Sequence, residues 1–135
     1  MSERELRQYY WIQREIERLY EEIQELGFQT LMIPLNDGIP SPSYQPKDGV
    51  GALAVAMVAL QEQLCKRLAD LYKKRSEIEA FIAGIEDREI AKIVELRYLG
   101  LLSWREIGDE MGYDYSVVYK KHRKFLSKNL QQMQH

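Results

Sequence analysis

Ser103-Trp104-Arg105-Glu106-Ile107-Gly108-Asp109-Glu110-Met111-Gly112-Tyr113-Asp114-Tyr115-Ser116-Val117-Val118-Tyr119-Lys120-Lys121-His122-Arg123-Lys124 reads as a short helix, a tight glycine turn and a second, basic helix. Ser103 is an N-cap residue, and Glu106 three positions on completes a capping box. Ile107 and Met111 are four apart and share one helix face. Gly112 is the residue type that lets a chain leave a helix through the left-handed region. Asp114 caps the next helix. There Val118, His122, Phe125, Leu126 and Asn129 recur at helical spacing, with Val118, Phe125 and Leu126 as the apolar part. Lys120, Lys121, Arg123, Lys124 and Lys128 take the remaining faces.

Upstream, Asp87 to Leu99 reads as a third helix, with Ile90, Ile93, Val94 and Leu96 as its apolar face and Glu86 and Asp87 at its start. Three short helices around one small core make the minimal helix-turn-helix domain, which presents its last helix to the major groove of DNA. The charge agrees. The 135-residue chain has a formal net charge of −2, yet Tyr113 to His135 holds five Lys/Arg against one Asp, a local +4. A basic tip on an acidic body suits one face that meets phosphate. An ordinary amphipathic helix pair with a solvated charged face is the plainer alternative.

With Val118 turned to the core, Tyr115, Ser116, Tyr119, Lys120 and Lys124 lie on or beside the opposite side. Ser116 and Lys120 are the candidates for base edges, with Tyr115 and Tyr119 near sugars or thymine methyl groups. Lys121, Arg123 and Lys124 are expected at phosphates. Trp104 and Arg105, at the start of the preceding helix, are placed at the DNA backbone, with packing into the small core as the alternative for Trp104. His122, four residues after Val118, is packed or faces phosphate.

The N-terminal part is helical. Tyr9, Ile12, Ile16, Leu19, Ile23 and Leu26 recur at spacings of 3-4-3-4-3, an a/d seam. Gly27 is expected to end this helix. A loop over 28–49 carries all four prolines, Pro34, Pro40, Pro42 and Pro46, and reads as a stiff linker, with a peptide-recognition ligand as the alternative. A second helix over 50–83 shows Met57, Leu60, Leu64, Leu68, Leu71, Arg75, Ile78, Ile82 and Ile85, a pattern with one extra step near Leu64–Leu68 that predicts a stutter. Neither stripe can be buried alone, so the two helices are expected to pair with each other, with a second subunit, or both. The expected fold is therefore all-α: residues 1–84 form a helical hairpin or coiled coil for oligomerisation, and 85–135 form the helix-turn-helix domain. The seam from Tyr9 to Leu26 is the expected dimer element.

Several classes are disfavoured. No apolar run reaches the 18 residues of a membrane span. The start, Met1-Ser2-Glu3-Arg4, is charged, unlike a signal peptide. Cys65 is the lone cysteine, so neither an internal disulfide nor a cysteine-built zinc site is available. These features imply a cytoplasmic protein. No phosphate loop, nucleophile elbow or metal-ligand spacing appears, so neither an enzyme nor a cofactor is expected.

The segment from Ile85 to Leu130, with Leu96-Arg97-Tyr98-Leu99-Gly100-Leu101-Leu102-Ser103-Trp104, Glu106-Ile107-Gly108 and Met111-Gly112, resembles region 4 of sigma-70-type factors. More closely, it resembles small phage-encoded regulators of late genes or autolysins that carry such a C-terminus. The resemblance implies double-stranded promoter DNA as ligand, transcription activation as role and RNA polymerase as a further partner in a bacterial host cell. One departure is Lys121, where sigma-like recognition helices often carry an apolar residue. The N-terminal half leaves no room for the aromatic-rich domain that melts promoters, so an activator is expected rather than a complete sigma factor. Two other classes stand as alternatives: a DNA-packaging recognition subunit (a small terminase), which also joins such a motif to coiled helices but assembles as a large ring, and a scaffold or inhibitor that binds another protein through the helices.

Overall fold

The structure, a computed structural model, describes residues 1–32 and 48–133. Every element among them is helical: α1 (Glu3–Met32), α2 (Asp48–Ala83), α3 (Arg88–Val94) running into a π-helical turn (Glu95–Leu99), α4 (Trp104–Met111) and α5 (Tyr115–Met133). The all-α class read from the periodicities is the class observed. The prolines at 34, 40, 42 and 46 lie outside the described residues.

Two compact units form, and they do not divide at residue 84. One unit joins Met1–Arg14 to Lys73–His135; the other is Glu15–Tyr72. In the first, the start of α1 lies antiparallel to the end of α2. Tyr9 Oη donates to Glu79 at 2.8 Å, and Arg75 Nη1 donates to the Gln13 side chain at 3.0 Å. Leu6, one step before the seam read from the sequence, is fully buried there. In the second, Ile16 and Leu19 are buried and Arg67 pairs with Glu15 at 3.0 Å.

Three readings of the hairpin need correction. Gly27 does not end α1, which continues to Met32. A glycine inside a helix costs only about 1 kcal/mol relative to alanine. Just beyond it, Thr30 Oγ1 donates to the Leu26 carbonyl at 2.7 Å. Second, α2 has no stutter. Leu60 is exposed, and the inward positions are Ala54, Met57, Gln61, Leu64, Leu68, Leu71, Arg75, Ile78, Ile82 and Ile85. With Gln61 in place of Leu60 the alternation of three and four is unbroken. Periodicity overrides residue type here, because a glutamine stem can pack while its amide reaches the edge. Third, the a/d seam of α1 is covered within the single chain. Ile12, Ile16 and Leu19 are buried and Tyr9, Ile23 and Leu26 are half-buried. The α1 stripe therefore has a partner without a second copy.

The C-terminal helices close on Ile93, Ile107 and Val118, all fully buried, with Leu96, Leu102, Trp104 and Met111 packed against them. Burying one such aliphatic side chain stabilises by about 1.5–3 kcal/mol. Asp87 caps α3 by accepting from the Glu89 and Ile90 amides. The π turn, closed by Gly100 N–H to the Glu95 carbonyl at 3.0 Å, leads into Leu101, which holds a left-handed φ of 58°.

Candidate nucleic-acid interface

The joint between α4 and α5 is set by residues a few positions apart. Ser103 Oγ accepts from the Glu106 amide at 3.2 Å, while the Glu106 carboxylate accepts from the Ser103 amide at 3.3 Å, a complete capping box. Gly112 ends α4 at φ 75°, a conformation glycine adopts without the penalty other residues carry. Tyr113 N–H then donates to the Gly108 carbonyl at 2.9 Å. Gly108 is buried, and a Cβ there would stand 2.6 Å from the Tyr113 carbonyl oxygen. The two helices can meet at this angle only because position 108 has no side chain. At the start of α5, Asp114 accepts from both the amide and the hydroxyl of Ser116, and these bonds hold its carboxyl below the usual range.

Val118, His122 and Leu126 turn inward from α5. His122 is 1% exposed, hydrogen-bonded through Nε2 to the Tyr98 hydroxyl at 2.5 Å, and lies against Trp104 with ring centroids 4.6 Å apart. Burial pushes its imidazole down to about 4 and the Tyr98 phenol up to about 12, so both are neutral near pH 7. His122 is thus a packed residue and not a phosphate contact.

The opposite side of α5 is open. Tyr115, Tyr119, Lys120, Arg123 and Lys124 are exposed and Ser116 is half-buried. The hydroxyl proton of Ser116 is committed to Asp114, so its oxygen is left to accept, which fits an amino group of adenine or cytosine. Arg105 is exposed, its guanidinium 5.5 Å from the Tyr115 ring centroid.

Three further residues assigned to DNA also have partners in the chain. Trp104 is half-buried in the core, with Arg97 over its ring at 4.5 Å and Tyr119 edge-on at 5.4 Å. Lys121 leans away from the outer face toward α3, paired with Glu89 and 4.6 Å from the Tyr113 ring centroid. Its hydrogen bond to Glu89 raises the ammonium above its ordinary value. The charge of Lys121 is thus met within the domain. Arg123 approaches Glu3 of α1 at 3.5 Å. Arg7 and Arg97, which sequence reading passed over, stand beside this face. Arg97 Nη1 donates to the Leu102 carbonyl at 2.9 Å, and Arg7 pairs with Glu3 at 2.7 Å.

Among the described residues no helix is long and apolar enough to cross a membrane, and no group of three or more His, Cys, Asp or Glu could hold a metal ion. A family model described as a protein of unknown function (DUF1492) matches residues 45–131, and the chain belongs to that family. The match runs from before α2 into the last turns of α5 and leaves α1 outside it. Neither the curated proteins nor the solved structures contain a match.

Proposed function

We propose that this member of the DUF1492 family is a sequence-specific DNA-binding regulator of transcription, with α5 as its recognition helix. The observation that carries the reading is the α4–Gly112–α5 joint. It sinks Val118, His122 and Leu126 into the core and leaves Ser116, Tyr119, Lys120 and Lys124 outward at the start of a basic helix. Lys120 and Ser116 read bases, while Lys124 and Arg105 hold the backbone. A lone three-helix reader covers few base pairs, so the proposal includes a homodimer on a site of two half-sites. The exposed carboxylates Asp109 and Glu110 on α4 offer RNA polymerase a surface that DNA does not occupy, which fits a phage late-gene activator.

Selection of genomic fragments by the purified chain, followed by light scattering of the complex, tests this. A recurrent site with two copies bound is expected; no enrichment over random fragments contradicts the proposal. On that site Lys120→Ala is expected to cost roughly 1–3 kcal/mol and to relax the preference at one position. Equal loss on specific and random duplexes would assign Lys120 to charge alone.

A further inference from the structure

Two independent chains of contacts lead from the outer side of α5 to Arg7 of α1. Along the first, Arg123 meets Glu3 at 3.5 Å and Glu3 meets Arg7 at 2.7 Å. Along the second, Tyr119 meets the edge of Trp104 at 5.4 Å, Trp104 carries Arg97 at 4.5 Å, and Arg97 shares a cleft of about 330 Å³ with Arg7, Tyr98 and Leu101. Two guanidiniums, Arg7 and Arg123, therefore share one carboxylate, Glu3, and a third, Arg97, lines the cleft with Arg7 on the flank where α4 begins. The Tyr98–His122 pair beneath them is neutral and supplies no counter-charge. The rim of the cleft is Leu101, a leucine that is 54% exposed and held at positive φ. That conformation costs roughly 1–2 kcal/mol, and strain of this kind concentrates at functional sites.

We infer that Arg7, Arg97 and Arg123 bind a phosphodiester of the DNA strand that flanks the recognition helix, so that α1 takes part in DNA binding. The inference rests on the helix-turn-helix reading, because the cleft opens beside the side of α5 assigned to DNA. Guanidinium forks match pairs of phosphate oxygens better than any other cationic side chain. The positive end of the α4 dipole lies on the same flank and acts in the same direction. Glu3 occupies the place of the anion while no DNA is bound: a phosphate displaces its contacts to Arg7 and Arg123. The footprint then exceeds that of the three-helix motif, through a helix outside the segment that matches the family.

The test is fluorescence anisotropy of the full chain with its selected duplex over a range of salt, for wild type, Arg7→Gln and Glu3→Gln. The Arg7 side chain is 68% exposed and its i,i+4 pair with Glu3 is a surface pair, so neither change should unfold the protein; circular dichroism melts check this. Removing one phosphate contact lowers the slope of log K against log salt by about 1. Arg7→Gln is expected to show that drop with a several-fold loss of affinity, and Glu3→Gln a several-fold gain. Trimming the duplex to the base pairs under α5 is expected to abolish both differences. An unchanged slope for Arg7→Gln overturns the inference and leaves the helix-turn-helix reading standing. Failure of the wild type to bind any duplex overturns both.

Discussion

Gly108→Ala is expected to destabilise the C-terminal unit by about 1–3 kcal/mol, the range for an atom forced into a packed site, and to abolish preference for the selected DNA site. The added methyl would sit 2.6 Å from the Tyr113 carbonyl oxygen and 3.3 Å from the Tyr115 amide nitrogen. Both are backbone atoms, so no side chain can swing aside. Relief requires the Tyr113–Tyr115 segment to move, and with it the cap at Asp114 and the direction of α5. Gly27→Ala is the matched control, because nothing stands within 4 Å of its Cβ position. Being interior to α1, that substitution should stabilise by about 0.5–1 kcal/mol. Urea unfolding of the two variants checks the pair. A Gly108→Ala protein with wild-type stability would show that the joint is looser than described.

The second large effect concerns pH. Folded His122 titrates near 4, against an ordinary 6.5. Between those values the unfolded chain binds a proton at this residue and the folded chain does not. Stability is therefore fully present above about pH 6.5 and falls as pH drops toward 4, below which this group contributes no further change. The whole difference corresponds to roughly 3 kcal/mol. Most of the fall above pH 5 precedes carboxylate protonation, so unfolding free energies from pH 7 to pH 5 isolate it. His122→Gln should be less stable at pH 7, through the lost packing against Trp104, yet should lack this slope. A wild type whose stability is flat from pH 7 to pH 5 would contradict a neutral, buried His122. The groups around the ring are Glu3, Arg7, Arg97 and Arg123. Their sum is positive and opposes protonation, in the same direction as burial.

What could be read from the sequence follows interaction range. The capping box of Ser103 and Glu106, the left-handed Gly112 and the cap at Asp114 each involve residues within three positions, and residue types specify them directly. The inward face of α5 follows from a period of 3.6. Where two rules compete, sequence reading erred. Gly27 reads as a helix end because glycine is a common terminator, but helix continuation on both sides outweighs its small propensity cost. Leu60 reads as an inward position because leucine is apolar, but the heptad register of the paired helices decides and turns Gln61 inward instead. The compact units could not be seen at all. Residues 1–14 join the end of α2 through Tyr9–Glu79 and the C-terminal helices through Glu3–Arg123, contacts separated by 70 or more positions in the chain. For the same reason Arg7 and Arg97 lack a local signature: each is an ordinary arginine on a helix, and only the fold brings them to one cleft. Lys121 illustrates the converse. Its position in a basic run suggested phosphate, while its register turns it toward Glu89.

The central claim is that α5 reads DNA sequence rather than attracting phosphate in general. It is tested most directly by competition, at about 0.15 M salt, between the selected duplex and a scrambled duplex of equal length and composition. The account predicts a preference of at least about 1,000-fold for the selected site, the lower bound for specific readers. Equal affinity for the two duplexes, or no binding to either, would contradict it.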